Sequence, residues 1–360
     1  MSEIDRKLVT KGRGAVSNAV GRFEGYDRVS VDDGWGSADE AALPLETELI
    51  EDTTRTIIAR NQSPDVGFDR SINPYRGCEH GCVYCFARPT HAYLGLSPGL
   101  DFESRLFYKP RAAELLTAEL SKPGYQCKPM GLGTNTDPYQ PIERKLGITR
   151  QVLEVLSAFN HPVTIVTKGA LIQRDIELLA DMAKRRLATV SVSVTTLDRS
   201  LARRMEPRAA TPERRLETIN ALNSAGIPVG VLTAPMIPGL NDHELEAILE
   251  AARAQGARTA GYVLLRLPLE IKDLFTEWLE ANVPLRAQHV LNLIRDTRGG
   301  KMNSSQWGDR MRGGGAYADL IAQRFRLAAQ RLGFERRGGA RLDTTRFRPP
   351  PRKGDQLSLL

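Results

Sequence analysis

Short runs rich in β-branched residues alternate with longer amphipathic stretches from Ser71 onward, and this alternation constrains the fold most. The predicted strands are Ser71–Tyr75, Met130–Thr134, Val163–Thr167, Thr189–Thr195, Pro228–Ala234 and Gly261–Leu265. The predicted helices are Arg111–Leu120, Arg144–Phe159, Ile172–Arg185, Pro212–Ser224, Asp242–Ala254 and Glu270–Ala281. Six strand–helix repeats predict an α/β fold with parallel strands covered by helices. No G-x-G-x-x-G follows a strand, which favours a barrel or partial barrel over an open sheet with a phosphate loop.

Two helix starts carry capping signals. Thr211 precedes Pro212, which predicts a Thr cap with proline in the first turn. Asn241 is followed three residues later by Glu244, which predicts a second cap. The repeats also set expected boundaries: an N-terminal extension over 1–60, partly disordered, a core barrel over 61–295, a cap segment with a helix over 296–334, and a basic flexible tail over 335–360.

Three cysteines lie on one short segment directly after the first predicted strand. Cys78, Cys82 and Cys85 form a C-x3-C-x2-C pattern, and the remaining cysteine, Cys127, is far away in sequence. Thiolates hold iron–sulfur clusters, and three ligands on a cubane leave one iron open for a substrate or cofactor. A structural zinc site would need a fourth ligand, for which His80 or His91 is available. A loop of free thiols without metal is the third alternative.

Charge and hydropathy bear on location and partners. The net charge is +7, with a basic body and a basic C-terminal tail, which fits a polyanionic partner but is also common among ordinary enzymes. No apolar run approaches the roughly 20 residues that a membrane helix needs, and the N-terminus has no signal-peptide order. Together with clustered thiols that must stay reduced, this predicts a soluble, cytoplasmic protein without a membrane partner.

The cysteine pattern, followed by an aromatic residue, resembles the signature of the radical S-adenosylmethionine (SAM) superfamily over about residues 65–290. The runs that begin at Ser71 and Thr134 resemble its DNA repair photolyase-like branch, related to spore photoproduct lyase. The resemblance implies a partial (β/α)6 TIM-like barrel and a [4Fe–4S] cluster on the three cysteines. It also implies that S-adenosylmethionine binds the open iron and is cleaved reductively to a 5′-deoxyadenosyl radical, with an electron donor such as flavodoxin or ferredoxin.

The resemblance also suggests cofactor contacts, each with a plainer alternative. Phe86 would contact adenine or pack under the loop, and Lys168 would pair with the cofactor carboxylate or lie on the surface. Asn135 and Asp137 stand where the superfamily has a Gly-Gly-Glu-like turn, or Asp137 forms an Asx turn. The other expected contacts are Ser193 and Thr195 on one strand face, which could instead fill the barrel, and Arg208, which could instead pair with Glu206 or Glu213.

The C-terminus and a basic segment are further candidates. The last residues, Gln356, Leu357, Ser358, Leu359 and Leu360, resemble the motif by which DNA-repair proteins dock on the sliding clamp, or are a frayed end. The segment 295–315 could hold a base or simply cover the barrel; its candidate residues are Arg298, Lys301, Trp307, Arg310 and Arg312. Cys127 is expected to be a bystander rather than a hydrogen donor.

These observations predict a radical SAM enzyme of lyase-like or hydrogen-abstracting type that acts on damaged or modified DNA. One alternative is radical SAM modification of RNA or a protein side chain. The other is a zinc-binding nucleic-acid adaptor without catalysis.

Overall fold

The computed structural model describes residues 12–25, 45–335 and 342–351. Its strands are β1 (Glu48–Glu51), β2 (Ile58–Arg60), β3 (Arg70–Ile72), β4 (Tyr75–Arg76), β5 (Arg105–Tyr108), β6 (Met130–Leu132), β7 (Val163–Thr167), β8 (Ala188–Ser193), β9 (Val229–Met236) and β10 (Thr259–Leu264). Its helices are α1 (Asp101–Ser104), α2 (Ala112–Leu120), α3 (Glu143–Leu146), α4 (Ile148–Ala158), α5 (Ile176–Lys184), α6 (Arg199–Met205), α7 (Pro212–Ser224), α8 (Leu245–Ala254), α9 (Ile271–Asn282), α10 (Pro284–Asp296), α11 (Asp309–Arg312) and α12 (Ala316–Arg331).

The main sheet is a partial barrel. Its strand order is β10-β9-β8-β7-β6-β3-β2, and the six strands from β3 to β10 in this order are parallel. Only β2 runs antiparallel, against β3, and the order ends at β10 and β2 without closure. The predicted α/β fold with six parallel strands is therefore confirmed. The carboxyl ends of these strands meet at one mouth, where chemistry is found in barrels of this kind.

The strands bury one face against the helices. In β7 the residues Val163, Ile165 and Thr167 are buried and the residues between them are less so, as a period of two requires. Val190 and Val231 continue the apolar layer on β8 and β9. This layer packs against buried side chains of α2, α4, α5, α7 and α8, so most of the apolar core lies between sheet and helices.

A second, three-stranded sheet was not predicted. Its order is β1-β5-β4, with β1 parallel and β4 antiparallel to β5. The segment 12–25 contains no helix or strand, yet Arg13 and Ala15 are buried. At the other end of the chain, the Phe347 ring packs 5.3 Å from Tyr125 and 5.7 Å from His161. Both terminal segments, as far as they are described, are thus attached to the body of the protein.

Three predicted helices differ from their expected form, and one of them, Ile172–Arg185, begins as a 3-10 helix over Ala170–Asp175 before α5. The predicted helix Arg144–Phe159 is split into α3 and α4 by Gly147, whose φ of 65° interrupts the helical backbone. Thr211 does cap α7, accepting a hydrogen bond from the Arg214 amide. Asn241 occupies the predicted cap position, ahead of a 3-10 turn over Asp242–Glu244, but its side chain makes no capping bond there and accepts from the Ile237 amide instead. No helix within the described ranges is long and apolar enough to cross a membrane.

Candidate active site at the mouth of the barrel

The cysteine loop, residues 76–86, begins at the end of β4 and lies over the mouth. The amide of Cys78 donates to Phe102 O at 2.9 Å, and the amide of Val83 donates to Met205 O at 3.0 Å. Gly77 and Gly81 have φ values of 79° and 66°, a region that favours glycine, so the loop can turn sharply twice. The sequence therefore folds three thiols into one compact loop.

The three thiols influence one another. Cys78 and Cys82 are buried and Cys85 is partly exposed. Burial raises the pKa of each thiol, and for Cys78 the neighbouring charges of Asp137, Cys82 and Cys85 raise the pKa further. Three thiolates this close repel each other unless a cationic centre compensates them. The thiols thus fit a cluster that accepts three thiolates and displaces their protons on binding.

The zinc alternative finds no support in the described part of the chain. No three His, Cys, Asp or Glu side chains there are grouped to hold one metal ion. His91 Nε2 lies 2.9 Å from Arg105 O and is therefore already occupied, and His80 Nδ1 lies 3.4 Å from an Asp137 carboxylate oxygen. A cubane cluster needs a different arrangement, because each of the three thiolates binds a different iron and the three need not converge on one ion.

A buried ion pair between Arg88 and Glu103 holds the backbone of the cysteine loop in place. The Arg88 guanidinium donates to the carbonyls of Cys82 at 2.9 Å and Gly81 at 3.1 Å, and it also donates to the Glu103 carboxylate. Glu103 in turn accepts hydrogen bonds from the amides of Gly14 and Ala15, each at 2.8 Å. The cysteine loop and the N-terminal segment are thereby held by one carboxylate, which the sequence analysis did not identify.

The side chain of Gln140 provides a second anchor. Its Oε1 accepts from the Glu79 amide at 2.8 Å, and its Nε2 donates to Gly77 O at 3.3 Å. Gln140 lies in the segment 134–143 that follows β6, so this segment bridges two barrel strands and the cysteine loop. This contact shows that the segment that begins at Thr134, one of the two runs that carry the family resemblance, supports the cysteine loop.

Arg208 contacts the cysteine loop. Its Nη1 lies 3.1 Å from a carboxylate oxygen of Glu79, and its amide donates to His80 O at 3.3 Å. The alternative pairing of Arg208 with Glu206 or Glu213 is wrong, because Arg208 pairs with Glu79 and Glu206 pairs with Arg215. Arg208 is about a third exposed at 35% and stays a predicted cofactor contact, now with its charge compensated.

Asp137 lies between the ends of β6 and β7. Its carboxylate accepts from Tyr139 N at 2.9 Å, Thr167 Oγ1 at 2.6 Å and Lys168 N at 2.7 Å. Burial alone raises the pKa of Asp137, but the charge of His80 and the hydrogen bonds from His80, Lys168 N and Thr167 outweigh it and lower the pKa to about 2. The bond from Tyr139 is the Asx turn considered as the alternative, so the carboxylate serves at least a structural role.

Asn135 lies at the same end of β6. Its amide donates to Asn73 Oδ1 at 3.2 Å, which links the residues that follow β3 and β6. Because β3, β6, β7 and β8 are adjacent and parallel, Asn135, Asp137 and Lys168 are brought to one edge together with Ser193. The structure thus places these four predicted residues at the ends of three neighbouring strands, β6, β7 and β8, at the mouth.

Lys168 faces the cysteine loop. Its Nζ lies 5.7 Å from the centre of the Tyr84 ring, and its charge acts to lower the pKa of Cys82 and Cys85. No carboxylate within the described ranges forms an ion pair with it. Lys168 is therefore an uncompensated cation beside the thiols, able to bind an anionic group.

Ser193 and Thr195 belong to a buried polar group. The Thr195 hydroxyl donates to a Glu206 oxygen at 2.7 Å, and the Tyr84 hydroxyl donates to the same carboxylate. Arg215 pairs with Glu206 and donates to Ser193 O at 3.2 Å. β8 ends at Ser193, so Thr195 lies beyond the strand rather than on it. Tyr84 was not among the predicted site residues, although an aromatic residue between two cysteines of the loop was a visible signal.

Phe86 lies apart from this group. Its ring is 46% exposed, and the Arg266 guanidinium lies 5.3 Å from its centre. Tyr84, rather than Phe86, contacts Lys168 and Thr195. The role of Phe86 in binding adenine stays a prediction.

Two further candidates are now placed. Cys127 precedes β6 and therefore lies at the opposite end of the barrel from the cysteine loop, where burial raises its pKa to about 11.

In the segment 295–315, Arg298 is buried and donates to Leu265 O at 2.7 Å, while Arg310 pairs with Asp65. These two arginines attach the segment to the barrel, which favours the covering role, and Trp307 is exposed.

Comparison with known proteins agrees with this geometry. The family model for the Radical SAM superfamily matches residues 72–252. The chain belongs to the radical SAM superfamily. It is therefore an enzyme of that superfamily, and the predicted membership is confirmed.

Relatives and solved structures extend the comparison. An uncharacterized protein of Mycobacterium tuberculosis is 38% identical over 242 residues, which cover 66% of this chain and 71% of that protein. One from Methanocaldococcus jannaschii is 25% identical over 221 residues, 61% of this chain and 79% of that protein. A spore photoproduct lyase mutant superimposes with a TM-score of 0.55 at 16% identity, covering 79% of this chain and 80% of that one. Another such mutant, with bound AdoMet and dinucleoside spore photoproduct, gives 0.55 at 15% identity, covering 79% and 78%. These superpositions show a shared fold.

Proposed function

We propose that Cys78, Cys82 and Cys85 hold a [4Fe–4S] cluster by three of its irons and that the fourth iron binds S-adenosylmethionine. The observation that carries this proposal is the position of three thiols on one loop at the mouth of a partial barrel, beside a lysine that forms no ion pair with the described residues. When bound, these cofactors supply an adenosyl radical that removes hydrogen from a substrate carbon. The protein's own residues would position the cofactor and exclude water.

The mouth residues divide this work. Lys168 is the cation available for the cofactor carboxylate, because no ion pair within the described residues neutralises it. Thr195 already donates its hydroxyl proton to Glu206, so towards a ribose hydroxyl it would act as an acceptor. Asn135 and Asp137 stand at the neighbouring strand end, where they would receive the cofactor amine. Ser193, which is buried at the end of β8, would form part of the floor of the cofactor site.

The substrate we propose is damaged or modified DNA. Support comes from the basic net charge, from the clamp-like C-terminal pentapeptide, and from the shared fold with a lyase whose structure holds a dinucleoside photoproduct. The pentapeptide Gln356–Leu360 lies outside the described residues. The electron would come from a cytoplasmic donor such as flavodoxin or ferredoxin.

Anaerobic reconstitution followed by an assay for 5′-deoxyadenosine tests this function. We expect the reduced protein to cleave S-adenosylmethionine, and ultraviolet-irradiated DNA to increase the rate over intact DNA. An increase with RNA or a protein, but not with DNA, would move the substrate to the alternative class. A protein that carries zinc and is colourless would instead support the adaptor.

A clamp pull-down tests the DNA context separately. Full-length protein is compared with a chain that ends at residue 355 and with a chain whose last five residues are the same but in scrambled order. Recovery of only the natural chain on immobilised bacterial sliding clamp supports the motif. Equal recovery of all three chains removes this support without affecting the cluster proposal.

A further inference from the structure

An apolar strip with one arginine extends from the last residue of the cysteine loop. It comprises Phe23, Phe86, Tyr93, Arg266 and Leu269, and we name it the rim strip. Its apolar members are unusually open to solvent: Phe23 is 59% exposed, Phe86 46%, Tyr93 70% and Leu269 49%. Soluble proteins seldom expose several large apolar side chains side by side without a binding role.

Specific contacts hold the two ends of the strip together. The rings of Phe23 and Tyr93 lie 5.2 Å apart. Arg22 lies over both rings and forms a 2.8 Å ion pair with Glu270, the residue that follows Leu269. The other end is the pair of Phe86 and Arg266 described above. The turn 266–270 thus connects the aromatic pair with the residue that directly follows Cys85.

Arg266 is the charged member of the strip, and it forms no ion pair with the described residues. Its Nε is buried and makes no hydrogen bond, and its Nη1 has only the sulfur of Met311 at 3.8 Å. The two neighbouring arginines differ from Arg266, because both Nη atoms of Arg298 donate to backbone carbonyls and Arg310 pairs with Asp65. No carboxylate within the described residues pairs with Arg266. A guanidinium held on an aromatic face with free donors is a ready binder of phosphate.

The combination of groups indicates the occupant. Exposed rings stack on bases whatever their identity, and an unpaired arginine binds the backbone that joins them. A duplex would bury its bases, so the rings would gain nothing from it, whereas an unpaired strand offers both groups at once. We propose that the rim strip binds an unpaired stretch of nucleic acid that flanks the reacting nucleotide. This deepens the proposed function and rests on it.

Fluorescence anisotropy with a labelled single-stranded 12-nucleotide DNA tests the proposal, using full-length reconstituted protein over a range of salt concentrations. Tyr93→Ala and Phe23→Ala should each weaken binding by about 5- to 150-fold, the effect of losing one stacked base. Arg266→Gln should weaken binding and reduce the slope of log affinity against log salt by about 0.7, the value for one phosphate contact on a single strand.

Matched controls lie on the outer helix α12. Arg326→Gln removes the same charge and Leu327→Ala removes an exposed apolar group, and neither should change affinity or slope. The proposal is overturned if the rim variants bind like these controls, or if the natural protein prefers duplex to single strand. Iron content and substrate-free cofactor cleavage are measured on the natural protein and on the Phe23, Tyr93 and Arg266 variants. Absence of either from the natural protein would defeat the proposed function, whereas loss only in the variants would overturn the present proposal and place the strip in the cofactor site instead.

Discussion

Replacing Glu103 by glutamine should destabilise the protein strongly, because it breaks the buried ion pair with Arg88 while leaving the guanidinium in place. Both side chains are fully buried, with no exposed side-chain surface. Removing one partner of such a pair typically costs about 3–5 kcal/mol, since the remaining charge has no compensation. The side-chain oxygen of the glutamine could still accept from one of the two backbone amides. Its NH2 group would then face the other amide, Gly14 N or Ala15 N, and two donors would oppose each other.

The assay is equilibrium unfolding in urea, with Glu48→Gln as the control. Glu48 forms an exposed ion pair with Arg105 at 2.8 Å, and such pairs contribute about 0.2–1 kcal/mol. We expect Glu103→Gln to lower the unfolding free energy by about 3–5 kcal/mol and to speed proteolysis within residues 12–25. If the two variants are equally stable, Glu103 does not hold the cysteine loop and the N-terminal segment together.

Three further predictions follow from the mouth of the barrel. The fold lowers the pKa of Asp137 from 3.8 to about 2. The ionised Asp137 carboxylate therefore stabilises the folded state above pH 3.8, and this stabilisation is lost as the pH falls toward 2. Asp137→Asn should therefore remove about 2 kcal/mol of pH-dependent stability, seen as a flatter acid-unfolding curve; an unchanged curve would refute this. Gly14→Ala would place a Cβ 1.7 Å from a backbone oxygen of the cysteine loop, whereas Gly25→Ala meets nothing within 4 Å. Only the former should speed iron loss to a chelator, and equal rates would contradict the packing. Lys168→Met should weaken S-adenosylmethionine binding by about 10- to 100-fold at unchanged iron content in equilibrium dialysis, while exposed Lys145→Met should not; equal affinities would exclude the carboxylate contact.

Local patterns predicted the parts of the fold that depend on neighbouring residues. The strand Val163–Thr167 and the helix Pro212–Ser224 occur with the predicted bounds, the strand as a short β-branched run and the helix with the start signal at Thr211 and Pro212. The break at Gly147 was missed because glycine is also tolerated within helices. The sheet formed by β1, β5 and β4 was missed because its strands pair over long sequence separations with no short-range signal.

The candidate site shows the same division. The three cysteines were identified by their spacing, and the strand ends brought Asp137 and Lys168 near them. The Arg88–Glu103 pair and the anchoring role of Gln140 depend on which loops meet in space, so a single sequence gave no indication of them. The charge on Arg208 was predicted to matter, but its partner proved to be Glu79, which belongs to the cysteine loop.

The most direct test of the account is the iron and sulfide content of anaerobically reconstituted protein. We predict about four irons and four sulfides per chain, and none after simultaneous replacement of Cys78, Cys82 and Cys85 by alanine. Replacement of Cys127 alone should leave the content unchanged. A natural protein without iron and sulfide, or a triple variant that retains both, would contradict the central claim.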